Sequence, residues 1–201
     1  GCRRPDGRRA GKTQSCRGKL AMNRPDGYAC FDTALGTCGI AWGPEGVVGV
    51  QLPEFDAAAT RARMQRRFPC LAEAPPTAEA LQAIAGVQGL LRGERVDLRT
   101  IRLDMSGVPE FHQRAYALAR DLAVGETITY GEMAHRLGQS GAARAVGQAM
   151  GSNPFAPIVP CHRVLAAGGH SGGFSAPGGA QTKLRMLAIE GAAPNGQPSL
   201  F

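Results

Sequence analysis

The spacing of apolar residues changes along this chain, and each change predicts a different element. Residues 1–26 offer almost nothing to bury and read as a disordered basic tail. Short apolar or β-branched runs then occupy 28–35, 37–42 and 46–52, separated by Gly36 and by Gly43-Pro44-Glu45-Gly46. Runs of this length between turn residues predict a three-stranded antiparallel meander. Helical spacing follows. Asp56 is placed to cap a helix over 57–68, and Thr77 to cap a second with Leu81, Ile84, Val87 and Leu91 along its apolar stripe. Arg61, Arg63, Arg66 and Arg67 read most simply as the solvated face of the first helix. Residues 99–103 are expected to add a strand.

Ser106-Gly107-Val108-Pro109 marks a boundary, after which helical spacing dominates. Phe111, Ala115, Leu118, Ala119 and Leu122 predict a helix over 111–123. Gly125-Glu126 turns the chain, and Thr129 is placed to cap a helix over 130–137 that Gly138 stops. Ser140 is placed to cap another over 141–151. Two short helices around a Gly-containing turn are a helix-turn-helix candidate. Residues 165–173, around Ala167-Gly168-Gly169, predict a tight hairpin placed like a wing after that pair. A last helix over 181–190 is expected to turn Leu184, Leu187 and Ala188 inward and to end at Gly191. The expected class is α/β: a small N-terminal α/β domain (28–105) built on the three-stranded sheet, a helical domain (106–191), and a loose tail (192–201).

Composition narrows the setting. A chain of 201 residues with 43% apolar content has material for one ample domain or two small ones. No window approaches the roughly 18 apolar residues of a membrane span, and no apolar stretch follows the basic start as a secretory signal requires. Six cysteines at irregular positions suit a reducing, cytoplasmic setting better than a disulfide framework. The net charge of +7 is concentrated in residues 1–26, which carry +6 of it. Bulk charge is therefore weak evidence for a nucleic-acid surface, and any such surface must be local. Arg-Pro-Asp-Gly occurs at 4–7 and 24–27, a coincidence of turn sequence rather than a repeat architecture, and Met22 is a candidate start.

The chemistry concentrates in Asn153-Pro154-Phe155-Ala156-Pro157-Ile158-Val159-Pro160-Cys161-His162-Arg163-Val164. A thiolate is a strong nucleophile, and an adjacent imidazole can take its proton. Prolines at 154, 157 and 160 predict a stiff, extended approach to Cys161. Such a pair by itself is more often structural than catalytic, so its surroundings decide. Upstream, Gly141, Ala142, Ala143, Ala145, Gly147, Ala149 and Gly151 leave a helix almost without side-chain bulk. Such helices usually serve close packing; a thin helix also fits a minor groove about 6 Å wide. Arg144 is its single long cation, suited either to the gap left by an extruded base or to phosphate.

Taken together, these residues resemble the O6-alkylguanine-DNA alkyltransferases, also called methylated-DNA–protein-cysteine S-methyltransferases. The likeness rests on Pro160-Cys161-His162-Arg163-Val164, Arg144-Ala145-Val146-Gly147, Gly125-Glu126 leading to Tyr130-Gly131-Glu132, Asn153-Pro154, Ser171-Gly172-Gly173 and Ile189-Glu190-Gly191. It is specific over about 106–191 and mainly architectural over 28–105. It implies a ribonuclease H-like N-terminal domain, a winged helix-turn-helix, and direct repair of double-stranded DNA carrying O6-alkylguanine, with O4-alkylthymine as a secondary candidate. The base is extruded through the minor groove and its alkyl group passes irreversibly to Cys161, each molecule reacting once.

The same resemblance implies roles for single residues. His162 acts as base through a water, Glu190 orients the imidazole, and Tyr130 donates to the guanine ring. Arg144 fills the vacated stack, and Ala142, Ala143, Ala145 and Gly147 form the thin DNA-facing helix. Asn153 holds the turn before the active-site segment, and Val159 belongs to the pocket wall. Backbone carbonyls of Cys161 and Val164 read the exocyclic amine, and the Ser171 N–H approaches the alkylated oxygen. No cofactor and no metal are expected: Cys2, Cys16, Cys30 and Cys38 precede the first histidine, His112. His112 and His135 read as surface or packing residues. His170 stands where relatives often carry an aromatic residue and Ala156 also departs, which bears on bulky alkyl groups. The chain is expected to act as a monomer. The competing interpretation is a non-enzymatic sensor of alkylated bases, whose relatives lack the nucleophile.

Overall fold

A computed structural model describes residues 27–169 and 178–192. The expected meander is present as β1 (Gly27–Thr33), β2 (Gly36–Gly43) and β3 (Gly46–Gln51), in that spatial order. Tyr28 pairs with Ala41 and Ile40 with Val50, both antiparallel. Helix α1 (Ala57–Arg67) covers one face through Met64, which packs on Tyr28 and Ala41. Helix α2 (Ala78–Leu91) covers the other through Ala80, Ala83, Ile84, Val87 and Leu91. The caps stand where expected: Asp56 accepts from Ala59 N–H at 2.7 Å and Thr77 from Ala80 N–H at 3.3 Å. Leu81, expected on the buried stripe, is 53% exposed, because the contact face is set by Ala80, Ala83, Ile84 and Val87.

Residues 99–103 do not form a strand. Arg120 gathers the carbonyls of Leu98, Arg99 and Ile101, each at 2.8 Å, and curls the segment. Its backbone bonds to the sheet are made at Val47: Val47 N–H donates to Arg102 O at 2.9 Å and Asp104 N–H to Val47 O at 2.8 Å. These contacts occupy part of the β3 edge, which would otherwise present unpaired backbone groups.

Beyond this come α3 (Glu110–Asp121), β4 (Ile128–Thr129), α4 (Tyr130–Arg136), α5 (Ala143–Gly151), β5 (Val164–Leu165) and α6 (Ala180–Ile189). A reciprocal cap starts α4: Thr129 Oγ1 accepts from Glu132 N–H, and the Glu132 carboxylate accepts from Thr129 N–H. Ser140 does not cap α5. It lies exposed in a turn closed by Ala142 N–H to Gln139 O at 3.0 Å, and Ala142 takes the cap position without a side-chain bond. The Tyr116 hydroxyl donates to Ala149 O at 3.0 Å and ties α3 to α5. In α6 the buried residues are Lys183, Met186 and Leu187, while Leu184 and Ala188 are exposed, so the face expected to turn inward is rotated. A single apolar cluster runs from Ala29 to Met186 and joins the sheet to the helices. Among the described residues no helix is long and apolar enough to cross a membrane. The basic tail, most of the C-terminal tail, and the expected hairpin beyond Gly169 lie outside the described residues; 167–169 form a 3₁₀ turn.

Candidate active site

Two short strands bring the site together. β4 and β5 pair in parallel, Ile128 with Val164 and Thr129 with Leu165. This sets Tyr130, the next residue after β4, beside the turn that ends at Val164. That turn is a 3₁₀ element over Cys161–Arg163, with Val164 N–H donating to Cys161 O. The segment before it is not extended, despite its prolines. Asn153 Nδ2 donates to Val159 O at 2.8 Å and its Oδ1 accepts from Phe155 N–H at 2.9 Å. Those two bonds curl residues 154–158 into successive turns and bring Cys161 N–H onto Val159 O at 2.8 Å.

Glu190, at the C-terminal cap of α6, is the centre of the charge arrangement. Its Oε1 accepts from His162 Nε2 and from Arg163 Nη2, each at 2.8 Å. Its Oε2 accepts from Arg163 Nε at 2.9 Å and from Gly125 N–H at 3.3 Å. Burial alone would raise this carboxyl, but the His162 and Arg163 hydrogen bonds outweigh it and hold the group at about 2. An ionised carboxylate only accepts, so His162 Nε2 carries the proton and Nδ1 keeps its lone pair. His162 Nδ1 is buried and has no hydrogen-bond partner among the described residues. Burial lowers the imidazole pKa despite Glu190, which keeps the ring neutral near pH 7. Cys161 is buried and its pKa is raised by burial, against the opposing pull of Asn153, Lys183 and nearby backbone N–H groups. At rest it is a thiol.

Lys183 lies fully buried. Its ammonium donates to Val164 O at 2.7 Å and stands 5.7 Å from the Tyr130 ring centroid. Burial lowers its pKa to about 8, opposed by Cys161. Burial also raises the Tyr130 hydroxyl, with a further push from Cys161, so the phenol stays protonated. Tyr130 packs toward α5: a Cβ on Gly147 would stand 3.9 Å from its ring. On α5, Val146, Ala149 and Met150 are buried, Arg144 is exposed, and Ala142, Ala143, Ala145 and Gly147 are partly exposed. A cavity of about 450 Å³ adjoins Cys161, Asn153, Pro154, Ala156 and Met150.

The structure thus brings Cys161, His162, Glu190, Tyr130 and Asn153 into one neighbourhood, with Arg144 on the outer face of α5. Val159 and Val164 are fully buried, and their carbonyls are engaged by Asn153, Cys161 and Lys183. Ser171 and His170 lie outside the described residues. His135 is exposed, and His112 is half-buried against Tyr116. Among the described residues no three His, Cys, Asp or Glu side chains converge on a metal position. Arg163 and Lys183 carry contacts that the motif alone does not disclose. Lys183 had a signal: with Met186, Leu187 and Glu190 it follows the i, i+3, i+4, i+7 stripe of a helix face.

A buried thiol next to an imidazole oriented by a carboxylate is the arrangement that cysteine-nucleophile proteins share. A family model described as the 6-O-methylguanine DNA methyltransferase, DNA binding domain, matches residues 110–192. A methylated-DNA–protein-cysteine methyltransferase of Mycobacterium leprae is 40% identical over 116 residues, 58% of this chain and 68% of the relative. Another, of Methanothermobacter thermautotrophicus, is 30% identical over 159 residues, 79% of this chain and 82% of the relative. The crystal structure of Mycobacterium tuberculosis OGT in complex with DNA superposes with a TM-score of 0.64 at 30% identity, covering 81% of this chain and 91% of that one. The chain belongs to the methylated-DNA–protein-cysteine methyltransferase family.

Replacing Glu190 by Gln leaves the buried Arg163 guanidinium without its counter-charge. The expected cost is about 3 kcal/mol in urea unfolding at pH 7. The folded carboxyl titrates at about 2, below its ordinary 4.5. Its contribution is therefore complete above the unfolded value and is lost as pH falls toward the folded one. The gap between wild type and Glu190→Gln should close between those two values; equal stability at pH 7 would contradict the ion cluster.

Proposed function

We propose that this chain repairs DNA by direct reversal, taking the alkyl group of O6-alkylguanine onto Cys161. The observation that carries this reading is the His162–Glu190 hydrogen bond beside a buried thiol, with His162 Nδ1 left as a lone-pair position. His162 takes the thiol proton through a bridging water, and Glu190 stabilises the imidazolium that results. Sulfur attacks the alkyl carbon, the carbon–oxygen bond breaks, and its electrons pass to the purine. Tyr130, a protonated phenol, donates to the ring as that charge develops. The thioether product has no good leaving group, so each molecule reacts once. The reactants are the thiol and the alkylated base, and the displacement calls for no cofactor. O4-alkylthymine presents a similar alkyl–oxygen bond and is a secondary substrate.

The helix pair α4–α5 acts as the helix-turn-helix, and α5 enters the minor groove. Its outward face of Ala142, Ala143, Ala145 and Gly147 suits a groove about 6 Å wide, and Arg144 occupies the stack vacated by the flipped base. The guanine pocket uses the turn held by Asn153, with Val159 and Val164 along it. Residues 28–105 form the ribonuclease H-like half and 106–191 the DNA-binding half of a monomer that works inside the cell.

Incubation with a duplex containing O6-methylguanine, followed by intact mass, tests the reading. One methyl should appear on Cys161 and none in Cys161→Ala; lesion binding without a mass change would make the protein a sensor. Arg144→Ala should slow repair of duplex DNA by at least about tenfold while leaving reaction with free alkylguanine near wild type. Equal losses on both substrates would sink the extrusion role.

A further inference from the structure

The Pro154 carbonyl, one residue beyond Asn153, is held from outside its own segment. Val50 N–H, on the edge strand β3, donates to it at 2.8 Å. Arg67, the last residue of α1, reaches the same oxygen with Nη2 at 3.4 Å. Its Nη1 donates to Val50 O at 2.8 Å and to Gln51 Oε1 at 3.2 Å. One guanidinium therefore spans the strand edge and the active-site turn, a task for a planar fork of donors that a single ammonium cannot reproduce. Gly49 makes room for it. A Cβ there would stand 2.9 Å from Arg67 Nη2 and 3.4 Å from Pro154 O. The guanidinium also lies 5.1 Å from the Phe68 ring centroid. Arg67 and Pro154 both wall the cavity that adjoins Cys161.

The sequence pattern placed Arg67 on a solvated helix face with Arg61, Arg63 and Arg66. Arg61 and Arg63 do keep to that surface: Arg61 pairs with Glu73 at 2.9 Å, and Arg63 stands 3.8 Å from Glu54 with its side chain 49% exposed. Arg67 instead is half-buried and spends its donors on protein acceptors, which leaves it poorly disposed to bind a phosphate.

The geometry points to Arg67 as a positioning residue for alkyl transfer, acting through the Pro154 carbonyl to hold the turn that presents Cys161. This rests on the reading of Cys161 as the alkyl acceptor. The turn has two locks. Asn153 closes it from within, and Val50 N–H with Arg67 fixes its first carbonyl from the sheet. Releasing the outer lock lets the turn drift relative to an extruded base, and a displacement of about 1 Å in a reacting group can cost up to about 100-fold in rate.

Single-turnover transfer from a methylated duplex, measured over a range of DNA concentrations, tests this. Arg67→Ala should lower the rate at saturating DNA by about tenfold or more while leaving the half-saturating DNA concentration unchanged. Arg67→Lys, which keeps the charge but replaces the two-nitrogen fork by a single ammonium, should fall between that variant and wild type. A lowered melting temperature with a wild-type saturating rate would make Arg67 merely structural and overturn the proposal. A loss confined to the half-saturating concentration would make it a DNA contact, with the same consequence. If Arg67→Ala does not fold, Arg67→Lys decides: cooperative melting with a slower saturating rate supports the role, and a wild-type rate overturns it. A wild-type protein that transfers no methyl overturns the underlying reading of Cys161, a failure distinct from any defect of the variants.

Discussion

Everything at the site depends on the buried carboxylate of Glu190. It accepts from His162, twice from Arg163, and from the Gly125 backbone, so two separate stretches of chain converge on its two oxygen atoms. A buried ion pair adds little net stability over a well-packed apolar one, but losing one partner strands the other charge. Its main consequence here is chemical. A carboxylate that only accepts fixes which imidazole nitrogen holds the proton, and it leaves the other nitrogen with its lone pair. The Gly125 N–H also explains why a glycine turn far from the cysteine belongs to the same constellation.

The rest of the fold positions that cluster. The parallel pairing of β4 with β5 sets Tyr130 beside the Cys161 turn, and Lys183 pins the end of that turn through Val164 O. The edge of β3 supplies the support on the other side. Its Val47 is taken up by residues 102–104 and its Val50 by Pro154, so the N-terminal sheet buttresses the segment that leads to Cys161 through backbone hydrogen bonds. An edge strand whose outward groups are used this way is also shielded from pairing with other chains.

What could be read from the sequence was local. Asp56, Thr77 and Thr129 cap their helices because a capping side chain acts within three residues, and the meander follows from turn residues between short apolar runs. The Cys161–His162 pair and Glu190 were legible through a specific motif. What escaped depends on contacts distant in sequence. Residues 99–103 look strand-like until Arg120 draws in their carbonyls, and three prolines look extended until Asn153 closes the turn. The inward face of α6 differs from the one its leucines and alanine suggest at Leu184 and Ala188, because Lys183 is buried and a polar residue reads as surface from sequence alone. Arg67 was hidden for the same reason: nothing within its own helix shows that the Pro154 carbonyl lies within reach.

Glu190 fixes a neutral His162 with its lone pair at Nδ1. A long-range ¹H–¹⁵N correlation spectrum of the free protein at pH 7, with the imidazole assigned by comparison with a His162→Gln variant, measures this directly. A protonated Nε2 and an unprotonated Nδ1 are expected for this ring. An imidazolium pattern, or the opposite tautomer, would contradict this assignment.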